Sequence, residues 1–178
     1  MNDPDAPALQ LDRLLPTLAR HHVEYVLVGG IAGTVHGATR ATFDVDVVPA
    51  WSRANRDRLA AALRELNARL RIPGEPDPVD FPLDGASFVS FEVSTWRTDA
   101  GDLDVIIGIP TSERGRLARY DDLVLRAVEA EAFGITIRAA SLADVIESKL
   151  ALGRDPDLVA LPELIELQRR QATDRPSP

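Results

Sequence analysis

Cysteine is absent from this chain of 178 residues, which excludes disulfide bridges, thiolate-bound zinc and a cysteine nucleophile. No apolar run approaches the roughly 20 residues that cross a bilayer, so no membrane segment is expected. Met1 to Pro7 lacks the basic start and apolar centre of a secretory signal, and a cytoplasmic location is the default expectation. An excess of positive charge is missing too. The formal net charge is −8, which disfavours indiscriminate attraction to nucleic acid or an anionic membrane but leaves room for local basic patches. Internal repeats, heptad arrays and low-complexity tracts are also lacking. What is present is 45% hydrophobic and 27% charged residues, enough for one ordinary core and its cover.

The hydrophobic pattern predicts one α/β domain over 8–170, a mixed β-sheet flanked by helices, between polar, proline-bearing ends at 1–7 and 171–178 that are expected to be flexible. Leu11, Leu14, Leu15 and Leu18 recur at helical spacing within 9–22. EYVLV at 24–28 reads as a buried strand ending at Gly29-Gly30, and a second helix starts within 31–36. Phe43 to Val48 alternates as a strand does and stops at Pro49. Ser52 is placed to cap an arginine-rich helix reaching about Leu70, after which the proline-dense stretch 72–85 reads as a loop. Strands are expected at 87–95 and 103–109, joined by a turn at 99–102. A second hairpin spans 123–139 around Gly134. Ser141, three residues before Asp144, opens a helix to about Leu152, and a last helix covers roughly 158–170.

The chemistry starts at Asp44-Val45-Asp46. Residues i and i+2 of a strand share a face about 6–7 Å apart, so both carboxylates can close on a hard divalent cation. The plain alternative is a solvent-washed strand edge. Asp104, at the start of the apolar run Leu103 to Ile109, supplies a third oxygen donor. Three carboxylates suit a site in which two ions about 3.5–4 Å apart serve the attacking and leaving oxygens. Asp102 has the same parity, but its place by the turn reads as solvated.

The strand ending in Gly29-Gly30, the Asp44-x-Asp46 strand and the later Asp104 together resemble the polymerase-β-like nucleotidyltransferase superfamily. More narrowly, GGIAGTVHGATRATFDVDVV at 29–48 with ESKLALGRDPDLVALPEL at 147–164 is similar to AbiEii-type nucleotidyltransferases, some of them toxin-like. The resemblance implies transfer of a nucleotidyl group from a nucleoside triphosphate, with Mg2+ or Mn2+ held by Asp44, Asp46 and Asp104. It further implies Lys149 and Asp157 as accompanying residues, tRNA as the acceptor, and a toxin–antitoxin setting with an antitoxin protein as partner. A small hydroxyl compound, as in antibiotic-modifying relatives, is the alternative acceptor. Lys149 is the only lysine among 20 basic residues, and a compact ammonium suits a phosphate. Gly29 and Gly30 open a helix whose N–H groups could face a triphosphate, and Arg40 offers a planar donor fork. The pattern departs from the superfamily in having Ile31 after the glycines where a hydroxyl residue is expected.

Other residues carry plainer readings. His36 is expected to be a packing or hydrogen-bonding residue before a general base. His21-His22 lacks a spaced partner for a metal. Arg53, Arg56, Arg58, Arg64, Arg69 and Arg71 read as a solvated helix face, and as the best footprint for a nucleic-acid acceptor. VGGIAG after a strand also suggests a dinucleotide-binding turn, but Val28 stands at its first glycine and Asp44 comes too early. A catalytically idle nucleotide-binding relative is the remaining alternative.

Overall fold

Apolar residues at helical spacing put Leu14, Leu15 and Leu18 on the buried side of the first helix, α1 (Leu11–Arg20). The computed structural model describes residues 7–173; residues 1–6 and 174–178, where flexible ends are expected, lie outside them. After α1 come β1 (Tyr25–Val28), α2 (Gly29–Val35), β2 (Asp44–Pro49), α3 (Arg53–Glu65) and β3 (Arg69–Arg71). A 3-10 turn at Ser87–Ser90 leads into β4 (Val93–Thr98), β5 (Gly101–Ile106), β6 (Ile109–Pro110), β7 (Leu117–Ala118) and α4 (Tyr120–Leu123). The hairpin β8 (Val128–Ala132) and β9 (Ile135–Ala139) precedes the helices α5 (Leu142–Leu152) and α6 (Asp155–Thr173).

Seven strands form one mixed sheet in the order β3-β4-β5-β2-β1-β9-β8, while β6 and β7 pair separately. β2 runs parallel to β5 and antiparallel to β1, and β1 runs parallel to β9. Val45 and Val47 of β2 and Leu103 and Val105 of β5 are buried. Period-two alternation therefore turns Asp44, Asp46, Asp102 and Asp104 to the opposite face. The antiparallel β1–β2 pair also removes the dinucleotide-binding reading, which requires parallel strands joined across a helix.

Several boundaries differ from the sequence pattern for local reasons. The strand expected over 87–95 begins only at Val93. Before it, Asp84 accepts the N–H groups of Ala86 and Ser87 at 2.9 Å each, and these side-chain bonds hold a turn where the strand ladder would have formed. Phe88 is thereby buried edge-on against Trp96, 5.8 Å between ring centres. The arginine-rich helix ends at Glu65 because Asn67 is left-handed, with φ 51°, and the chain then pairs Leu70 with Trp96 as an edge strand. The 123–133 stretch opens on the end of α4 and becomes a strand only at Val128. The last helix starts at Asp155, with Pro156 in its first turn where a missing N–H costs nothing, and runs past Arg170 to Thr173.

One buried polar residue joins three of these segments. Asn55 of α3 is fully buried. Its Oδ1 accepts the Glu24 N–H at 2.8 Å, and its Nδ2 donates to the carbonyls of Glu24 and Ala50 at 2.8 and 2.9 Å. Asn55→Ala would leave those backbone groups unpaired in the interior, so a loss of about 3 kcal/mol in urea unfolding is expected. A change below about 1 kcal/mol would show that water replaces the amide.

Candidate active site

The parallel register of β2 and β5 sets Asp44 beside Asp102 and Asp46 beside Asp104. Four carboxylates thus share one face across two strands, and the protein handles them differently. Asp102 is paired: Arg97 approaches it at 3.0 Å and Arg71 at 3.1 Å, so the expectation of a merely solvated residue is corrected. The side chain of Asp44 meets the Thr42 hydroxyl at 3.2 Å. Burial, with added repulsion from Asp44 and Asp104, pushes the Asp46 carboxyl up to about 7, while Lys149 and Arg154 pull it down. Asp104 is raised to about 6, again by burial first; a hydrogen bond from Thr95 opposes the shift, and Asp44 and Asp102 add to it.

The backbone makes room for Asp46. Gly29 has φ +59°, a conformation L side chains rarely adopt, and a Cβ there would lie 2.0 Å from the Asp46 Oδ2. Gly30 is similarly close to Thr42, where a Cβ would stand 2.6 Å from the hydroxyl oxygen.

Opposite the carboxylates stands a cationic cluster from the α5–α6 junction. Lys149 reaches the Asp157 Oδ1 at 3.1 Å, and Arg154 reaches its Oδ2 at 2.7 Å. Burial alone would raise Asp157, but hydrogen bonds from Arg154 and Lys149 outweigh it and hold the carboxyl below its usual range. A cavity of about 330 Å³ lies between, lined among others by Gly29, Gly30, Arg40, Asp44, Asp46, Asp104, Lys149 and Arg154. Of the residues expected to bind nucleotide or metal, Asp157 alone does not line it; it sits behind Lys149 as an anchor. Arg154 was not anticipated. The available signal was a second basic residue one turn of chain after Lys149 and three residues before Asp157.

Two further expectations meet the structure here. His36 Nε2 bonds the Ala140 carbonyl oxygen at 2.8 Å, tying α2 to the end of β9, which is the hydrogen-bonding role expected of it. The arginines are not one solvated face. Arg69 and Arg71 lie on β3, paired with Asp80 and Asp102, and Arg58 pairs with Glu24. Arg56 donates to the Gly85 carbonyl at 2.8 Å and packs over the Trp51 ring, while Arg64 donates to the Leu83 carbonyl. Arg56 and Arg64 strap the 83–85 segment to the fold.

Metal binding can be tested against the donors. As the side chains stand, no group of three or more His, Asp or Glu among the described residues is gathered closely enough to hold an ion. The chemistry of the donors nevertheless fits one. Asp104 Oδ1 is buried without a hydrogen-bond partner, and Asp46 and Asp104 are destabilised as anions side by side. A hard divalent cation would satisfy the first and offset the second, given rotation of exposed Asp44.

No protein-family model matches the sequence, and no curated protein matches it. Solved structures do. A protein of Thermotoga maritima described as a candidate nucleotidyltransferase superposes with a TM-score of 0.54 at 16% identity, covering 97% of this chain and 100% of that one. ANT(2'')-Ia in complex with adenylyl-2''-tobramycin gives 0.52 at 16% identity over 89% of this chain and 83% of its own. The lincosamide antibiotic adenylyltransferase LnuA, bound to lincomycin, gives 0.54 at 13% identity over 90% and 99%. The α/β architecture of this chain, one mixed sheet flanked by helices, is the fold of the nucleotidyltransferases.

Proposed function

We propose that this protein is a metal-dependent nucleotidyltransferase whose catalytic carboxylates are Asp44, Asp46 and Asp104. The observation that carries the reading is their convergence on one face of β2 and β5, across a single cavity from Lys149, Arg154 and Arg40. Like charges on one face, two of them half-buried, are costly to a merely structural site. They are what a polyphosphate and its cations require.

In this reading Asp44, Asp46 and Asp104 would hold Mg2+ or Mn2+, which would supply positive charge for the α-phosphate and the departing pyrophosphate. Lys149 and Arg154 face the triphosphate oxygens, with Asp157 fixing both cations in place. Arg40 closes the outer side, and Gly29 and Gly30 let the backbone approach without a Cβ in the way. Removing Lys149 should therefore matter more than removing surface charge. Lys149→Ala is expected to lower kcat/KM for the nucleotide by about 10- to 100-fold, and Lys149→Arg to restore only part, because a planar guanidinium does not fit where an ammonium meets both Asp157 and phosphate. Wild-type kinetics in Lys149→Ala would return it to an anchoring role for α6.

For the acceptor, kinship with AbiEii-type enzymes would favour tRNA, in a toxin–antitoxin setting with an antitoxin partner in the cytoplasm. A specific observation favours a small hydroxyl compound instead: four of the six arginines that would have formed an RNA footprint, Arg56, Arg58, Arg64 and Arg71, are engaged with Trp51, Leu83, Gly85, Glu24 and Asp102. ANT(2'')-Ia and LnuA, of the same fold, carry adenylyl-tobramycin and lincomycin. The test of metal dependence is direct. Mg2+ or Mn2+ with a nucleoside triphosphate should raise Tm by several degrees, chelator should reverse the rise, and zinc should not substitute. Equal stabilisation by the triphosphate with and without divalent ions would contradict the metal assignment.

A further inference from the structure

A second cavity, of about 390 Å³, opens on the other side of the carboxylates and shares Gly29, Asp46, Asp104 and Arg154 with the first. Its character is opposite. Alternation along β5 puts Ile106 on the same face as Asp104, and the register sets Val93 of β4 beside it. Ile109, Leu117 and Leu152 complete the apolar wall. Val93 and Leu152 are 53% and 43% exposed, apolar surface that no other part of the described chain covers. Arg40 and Lys149 line only the first cavity. The second has Arg154, already paired with Asp157, and the acid Glu92.

We propose that this second cavity binds the acceptor, and that the acceptor is a small, phosphate-free hydroxyl compound with an apolar body. The proposal rests on the nucleotidyl-transfer reading for the role of the shared carboxylates. A nucleic-acid backbone needs several cations along its path, and this wall supplies hydrophobic side chains and a carboxylate instead. The volume suits a small molecule, and an apolar lining with a few convergent polar groups is the usual make-up of such a site. Asp46 and Asp104 stand at the partition, so a hydroxyl projecting from the apolar cavity meets the triphosphate across them. Its oxygen forms a bond to the α-phosphorus as the bond from that phosphorus to the β-phosphate bridging oxygen breaks. Pyrophosphate leaves with the electron pair, and the hydroxyl proton passes to solvent.

Methyl-labelled full-length protein observed by NMR separates the two cavities. Cyclohexylethanol is expected to shift the methyls of Val93, Ile106, Ile109 and Leu152, whereas glucose and total tRNA leave them in place. Leu152→Glu, at an exposed position, should weaken cyclohexylethanol binding by about tenfold, since it sets a charge against the apolar body. Shifts of these methyls by tRNA, equal shifts by glucose, or none by cyclohexylethanol would overturn the proposal. Magnesium with each nucleoside triphosphate reads out separately, at the methyls of Ala41 and Leu164 in the first cavity. Silence there contradicts the nucleotidyl-transfer reading, while the apolar cavity is still judged by its own probes.

Discussion

Asp44→Asn and Asp46→Asn are each expected to lower nucleotidyl transfer by about 1000-fold or more while the protein stays folded, because each removes an anionic oxygen and keeps side-chain size and strand position. The two variants should part company in stability. Asp46 is half-buried beside Asp104, and its anion is disfavoured. An amide there removes the repulsion, so the metal-free Asp46→Asn protein is expected to gain roughly 1–2 kcal/mol after allowing for the amide's own desolvation. Asp44 is exposed, and Asp44→Asn should leave stability within about 0.5 kcal/mol. Divalent ions should then raise the Tm of the wild-type protein with triphosphate and have little effect on Asp46→Asn. A folded variant that transfers at the wild-type rate would remove the aspartate concerned from the catalytic set.

Gly29→Ala is the second large effect, and it acts through geometry alone. A methyl at this position meets the Asp46 Oδ2 at 2.0 Å on a backbone held at φ +59°, so either Asp46 moves or the β1–α2 turn opens. Both displace a carboxylate that must stay within about 0.5 Å of its productive position, and a loss of about 100-fold in kcat/KM is expected. Gly134 provides the control. It shares a positive φ of 74° but has nothing within 4 Å of an added Cβ, so Gly134→Ala should carry only the backbone cost of about 1 kcal/mol and leave activity unchanged. Equal activity losses in the two variants would mean that general destabilisation, and not the Asp46 contact, is being measured.

The carboxylate strand was legible in the sequence because a period of two between valines leaves Asp44 and Asp46 only one shared face, and the β4–β5 and β8–β9 hairpins were legible from their alternation and turns. Long-range features were not. Nothing local indicates that β2 and β5 run parallel with Asp46 set against Asp104, or that Arg71 and Arg97 converge on Asp102 from two strands. The arginine run misled because amphipathic spacing identifies an outward face without saying what folds back over it; Arg56 and Arg64 meet carbonyls of the 81–85 stretch. The 87–95 stretch misled for a different reason. Its alternation suits a strand, but Asp84 captures the N–H of Ser87, its first residue, and of Ala86 just before it. Arg154 is not legible because a lone arginine in a loop carries no periodic signal, and only the turn between α5 and α6 brings it beside Lys149.

The central claim is that Asp44, Asp46 and Asp104 transfer a nucleotidyl group, and the direct measurement follows label and pyrophosphate together. Wild-type protein with Mg2+ is incubated with each nucleoside triphosphate labelled at the α-phosphate, together with small hydroxyl compounds and total tRNA in separate reactions. Label is expected on an acceptor with one pyrophosphate released per transfer, abolished by chelator and by Asp46→Asn. Label transfer that persists in folded Asp46→Asn, or release of inorganic phosphate in place of pyrophosphate, would contradict it.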